Sequence, residues 1–249
     1  MIDLMWIAAA MTLVLALVGA AGASAETPDT VWLEELTWTE VRDAIRSGKT
    51  TVIIPAGGTE QSGPHMALGK HNARVKVLSQ RIARALGNAL VAPAIAYVPE
   101  EAFRQVLESA ARSFKLHGFR NIVLIGDHGS TQASQRGVAV RLNREWAATP
   151  VRVHAIEEYY RAAEGDVPRL LKARGFGDAE LGRHAGLTDT ALMLATDARL
   201  VRTERLHPGR EGDGVDGDPT RATAELGQAG ADLIVARTVE AIRRSITPH

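Results

Sequence analysis

The stretch ALVAPAIAYVPEEAFRQVLESAARSFKLHGFRNIVLIGDHGS, residues 89–130, decides the fold. Two short apolar runs, ALVAPAIAYV and FRNIVLIGDHGS, flank EEAFRQVLESAARSFKLHG, whose apolar positions recur at helical spacing. A strand, a covering helix and a second strand make the crossover unit that joins parallel neighbours. Neither run alternates polar with apolar residues, which marks strands buried on both faces. Working outward, TTVIIPAG is a further strand, and NARVKVLSQRIARALG is a helix closing at Gly87. Trp32 to Gly48 reads as a short helix, with Thr39 as N-cap before EVRDAIRSG. Downstream, TQASQRGVAVRLNREWA is a helix and VRVHAIEEYY a strand. EGDVPRLLKARGFGDAELGRHAG is mostly loop and short helix, and DPTRATAELGQAGADLIVARTVEAIRRSI is a long helix with a proline near its start. The alternation gives an α/β fold with a mainly parallel sheet covered on both faces.

The chain has 249 residues. Leu4 to Ala21 is almost wholly apolar, and Ala23-Ser24-Ala25 has the small-x-small form of a signal-peptidase site. Residues 1–25 are therefore expected to be a signal peptide and 26–249 a single domain, periplasmic or secreted. The n-region departs from the usual pattern, carrying Asp3 and no basic residue. An uncleaved N-terminal membrane anchor is the alternative. Cysteine is absent, so disulfides and thiolate chemistry are excluded and any metal must use His, Asp or Glu. The 29 basic and 29 acidic residues balance without a basic run, which argues against nucleic acid as a partner.

Ligand sites of open α/β sheets collect beyond the carboxyl ends of the strands. The loop GGTEQSGPHMALGKH and the segment GDHGS both leave strands at that edge. Glu60, His65, His71, Asp127 and His128 are thereby brought to one rim. His65 follows a Gly-Pro and can fix the loop by a hydrogen bond or contact a metal. Asp127 is either a partner of a ligand or a turn residue. His117, His154, His207 and His249 are read as ordinary histidines.

Three ordered segments, GGTEQSGPHMALGKH, IVLIGDHGSTQ and GRHAGLTDTALML, together with GVDGDPTRATAELG, resemble the creatininase (creatinine amidohydrolase) family. The resemblance implies a three-layer α/β/α sandwich, often a homo-oligomer (a hexamer), that hydrolyses cyclic amides or related C–N bonds of a small-molecule substrate. It also implies a two-metal site of zinc, manganese or iron. The family's Glu ligand falls on Glu60 and the His of its second motif on His128. Its bridging Asp falls on His71, and two further ligands fall on Ser62 and Ser130. Two divalent ions about 3.5–4 Å apart need a bridging anion, which a neutral histidine does not provide. The expectation is thus one divalent ion per chain, held by Glu60, His71 and His128, with His65 as a further candidate. His184, at the family's H-A-G histidine, is expected to move the proton of the reaction, and Asp189 to orient His184 or a metal ligand. A loop that relatives carry between AYVPE and EAFRQVLES is shortened here. With Ser62 and Ser130, that keeps open the alternative of a non-catalytic binding or scaffold protein.

Overall fold

The computed structural model describes residues 28–247; the expected signal peptide at 1–25 lies outside them. In chain order the main elements are helix α1 (Trp38–Arg46), strand β1 (Thr51–Ala56), α2 (Lys70–Leu86), β2 (Ala89–Val91), α3 (Glu100–Leu116), β3 (Asn121–Gly126), α4 (Thr131–Glu145) and β4 (Arg152–Ala155). There follow α5 (Glu158–Arg161), a π-helical turn (Ala162–Asp166), α6 (Val167–Lys172), α7 (Asp178–Leu181), α8 (Leu187–Asp197) and α9 (Ala224–Ile246). The four strands pair in the order β2-β1-β3-β4, all parallel.

Alternate side chains of the sheet enter two cores. Ile53, Val123 and Ile125 pack against α2, α6, α8 and α9, whereas Val52, Ile54, Ile122 and Leu124 pack against α3, α4 and the apolar side of α1. This is the α/β/α layering expected from the strand–helix alternation. Pro55 is accommodated inside β1 because β2 has already ended beside it. Its carbonyl accepts from Ile95, on the side where its missing N–H would have pointed.

The structure corrects four local expectations. The strand read through ALVAPAIAYV ends at Val91. The N-cap of α1 is Thr37, not Thr39: Thr37 and Glu40 form a reciprocal capping box that starts the helix earlier. The strand read through VRVHAIEEYY stops at Ala155, because the chain then turns helical and swings Tyr159 into the core. LTDTALMLATD, not read as an element, is α8, buried between α2 and α9.

Candidate metal centre

Both loops that carry ligands start at the carboxyl edge of the sheet. The loop after β1 is pinned against α2 at Gly57, where a Cβ would lie 2.8 Å from the backbone of Asn72. Gly58 N–H then donates to Asn72 Oδ1 (3.0 Å), and Glu60 N–H to the Leu68 carbonyl (3.1 Å). On the neighbouring strand, Asp127 N–H still bonds to Ala56, so Asp127 and His128 emerge beside that loop.

Glu60, His71 and His128 converge. Glu60 Oε1 lies 2.9 Å from His71 Nε2 and Oε2 lies 2.9 Å from His128 Nε2. One ligand atom of each residue lies within 4.8 Å of the other two, the only group of three such side chains among the described residues. Hydrogen bonds from His71 and His128 outweigh burial and hold the Glu60 carboxyl at about 2.

The partners behind His71 test whether a cation fits. His71 Nδ1 lies 2.7 Å from Asp127 Oδ2, while Nε2 faces Glu60, so the ring stands between two carboxylates. A neutral imidazole donates from one nitrogen only. His71 must therefore be an imidazolium, or give its second proton up to a cation that Nε2 and Glu60 hold together. Burial would lower its pKa, but the hydrogen bonds to Asp127 and Glu60 raise it. His128 Nδ1 accepts from Ser130 N–H (3.2 Å) and meets the Ser130 hydroxyl at 2.7 Å, which fixes the ring with Nε2 toward Glu60. Two imidazole nitrogens and a carboxylate suit zinc, manganese or iron(II).

Asp127 is fully buried and serves His71 rather than a turn. It accepts from Tyr159 Oη (2.6 Å) and from Arg74 Nε (2.9 Å to Oδ2). Burial would raise its carboxyl, but the Arg74 guanidinium and the bonds from His71 and Tyr159 hold it below the ordinary value. Arg74 Nη1 continues to Asp189 Oδ1 (2.8 Å), whose Oδ2 accepts from Lys70 Nζ (2.8 Å) and Ala185 N–H (3.0 Å). Asp189 thus reaches the ligand His71 through Arg74 and Asp127, and does not bond to His184.

His184 sits at the rim. Its Nε2 donates to the Gln61 carbonyl (2.9 Å), and its Nδ1 faces the centre, 3.8 Å from Glu60 Oε1. His65 is placed apart from the three ligands. It is buried beneath the loop with Nε2 3.0 Å from Thr190 Oγ1, so it fixes the loop to α8 and is corrected from ligand to loop-fixing residue. Ser62 is buried and its hydroxyl has no partner. His154 bonds Asn121 on the neighbouring strand.

The three candidate ligands line a cavity of about 170 Å³ with Lys70, Tyr160 and Glu164. Glu164, Arg183, His184 and Asp189 also wall a larger cavity of about 400 Å³. Lys70 and Arg74 escaped the sequence reading. The signal was present: three basic or imidazole side chains occupy the start of α2, where helix dipoles favour acids.

The profile of the creatininase family, described as creatinine amidohydrolase, matches residues 34–242. Creatinine amidohydrolase of Pseudomonas putida is 24% identical over 257 residues, covering 88% of this chain and 98% of the relative. A mycofactocin precursor peptide peptidase of Mycobacterium ulcerans (strain Agy99) is 27% identical over 219 residues, covering 72% and 78%. The fold superposes on the crystal structure of a creatinine amidohydrolase with a TM-score of 0.74 at 23% identity, covering 89% of this chain and 100% of that one. With a match that spans nearly all the described residues and a parallel sheet of the same fold, the chain belongs to the creatininase family.

Proposed function

We propose that this protein is a metal-dependent amidohydrolase that opens a small cyclic amide or related C–N bond, using one divalent ion held by Glu60, His71 and His128. The observation that carries this reading is the convergence of those three side chains, with His71 wedged between two carboxylates. Related solved structures include a manganese form and a zinc–zinc form of creatininase, which supports a divalent cation without selecting one. A divalent ion supplies a polarised carbonyl and an acidified water. The chain's own residues do the rest. Asp127 and Arg74 fix the tautomer and direction of His71. His184, with Nδ1 turned toward the centre, takes a proton from the attacking water on that nitrogen and returns it to the leaving nitrogen as the C–N bond breaks. Relatives named as an amidohydrolase and a peptide peptidase both cleave C–N bonds, which supports the reaction class. Creatinine itself is expected to be a poor substrate, because Ser130 stands where the resemblance puts a second-metal carboxylate. Export to the periplasm and assembly into homo-oligomers complete the proposal.

Metal analysis of the purified protein tests it. Near-stoichiometric zinc, manganese or iron is expected, lost in Glu60→Ala. In His184→Ala the metal stays and kcat on a cyclic amide falls about 10²–10⁴-fold. Metal-free protein of ordinary stability overturns the reading.

A further inference from the structure

We infer that Lys70 is a catalytic residue of this centre: its buried ammonium is a second fixed positive charge beside the divalent ion, limiting the centre to one ion and binding an oxygen of the substrate. The inference rests on the metal-dependent reading above. Lysine is almost never fully buried unless paired, and the Lys70 side chain is 1% exposed. It lines the same small cavity as His71, His128 and His184. Its ammonium has three N–H groups, and its one hydrogen bond goes to Asp189. Glu60 Oε1 is 3.8 Å away, too far to take another. Donors remain for a ligand in the cavity.

The position is locally unfavourable. Lys70 is the first residue of α2, whose N-terminus has no side-chain cap and no acid in its first turn. A cation there opposes the helix dipole, and Arg74 adds a second positive charge one turn on. Such breaches of local rules are expected where function requires them. The dipole, the ammonium and the guanidinium together offset the charges of Asp127 and Asp189.

Charge counting within the hydrogen-bonded network leads to the same stoichiometry. Glu60, Asp127 and Asp189 are negative, Lys70 and Arg74 positive, and ligating histidines neutral, which leaves one net negative charge; Glu164 lines the cavity outside this network, and burial and Asp189 raise its carboxyl toward the neutral form. One divalent ion turns this to one net positive charge, which an anionic oxygen offsets. A second ion would leave three. In the transition state of amide hydrolysis the carbonyl oxygen gains negative charge as water adds to carbon. A fixed ammonium there acts without reorganising.

The substitution Lys70→Met leaves Asp189 its bonds from Arg74 and Ala185, so the fold is expected to persist, checked by circular dichroism and thermal melting in chelator. Two titrations follow, zinc into chelator-stripped protein and acetate into the zinc-loaded form. In Lys70→Met zinc binding should tighten on the order of tenfold, because a cation near Glu60 is gone, while acetate binding weakens on the order of tenfold. In Lys70→Arg, which restores the charge, zinc affinity should return to within a few-fold of the parent. If Lys70→Met does not fold, Lys70→Gln is read by the same two titrations. A structural role would weaken both ligands together, and that result, or no change in either, overturns the inference. Unchanged acetate affinity overturns the oxygen contact, and unchanged zinc affinity overturns the limit to one ion. Failure of the parent protein to bind zinc overturns the metal reading itself, and this inference with it.

Discussion

In the proposed one-ion centre, two side chains carry most of the difference from a two-metal site. His71 offers a single nitrogen where a carboxylate would bridge, and Ser62 ends in a buried hydroxyl without a partner. Restoring one ligand alone should therefore fail. Ser62→His places an imidazole in a fully buried position with no bridge to complete, and His71→Asp sets an acid against Asp127 without adding a further ligand. Metal titration of each single variant is expected to give at most one ion per chain. The pair should be strongly non-additive and approach two, weakly, since Ser130 offers no carboxylate and Lys70 remains beside Glu60. Two ions in the unmodified protein would overturn the one-ion reading. Glu60 and His128 could be found from the sequence because they lie in loops that follow recognisable strands, and His71 because it opens the helix after the first of those loops. The Lys70–Asp189 and Arg74–Asp189 pairs could not, since their partners lie 119 and 115 positions apart and only packing joins them.

The packing of α8 against α9 reverses an ordinary helix rule. Glycine inside a helix costs about 1 kcal/mol relative to alanine. At exposed Gly137 in α4, where an added Cβ meets nothing within 4 Å, Gly137→Ala should stabilise the protein by about 0.5–1 kcal/mol. At Gly227 in α9 a Cβ would lie 1.8 Å from the Ala191 carbonyl oxygen of α8, so Gly227→Ala should destabilise by about 1–3 kcal/mol. Urea unfolding of the two variants reads the opposite signs. The same close contact hid α8 from the sequence. A helix enclosed by α2, α9 and the core shows no clean polar face, so LTDTALMLATD lacks the 3.6-residue alternation that exposed α2 and α3. β4 was overread for the converse reason: IEEYY has strand-forming residues, and the tertiary bond from Tyr159 to Asp127 turns it helical. β4 also carries a pH marker. Burial lowers His154 to about 4, so between about 6.5 and 4 the unfolded chain takes up a proton that the folded one refuses. Stability should fall as pH drops through that window and level off below it. The slope should be shallower in His154→Gln, which does not titrate, as measured by denaturant unfolding from pH 7.5 to 4.

At the scale of the whole molecule, the candidate ligand set ties together parts of the chain that are distant in sequence. Glu60 and His71 are 11 residues apart, but Glu60 and His128 are 68 apart and meet only once β1 and β3 have paired. An ion that needs all three side chains is thus captured after the sheet has assembled, too late to guide it. Interactions absent from the folding transition state slow the return to the unfolded chain without hastening the forward step. Stopped-flow and manual-mixing kinetics should find chelator raising the unfolding rate severalfold while leaving the refolding rate within about a factor of two. A comparable change in both rates would mean that the centre forms early. On this view the ion acts as a latch on a finished fold, and the lifetime of the folded protein is set by how tightly that latch holds.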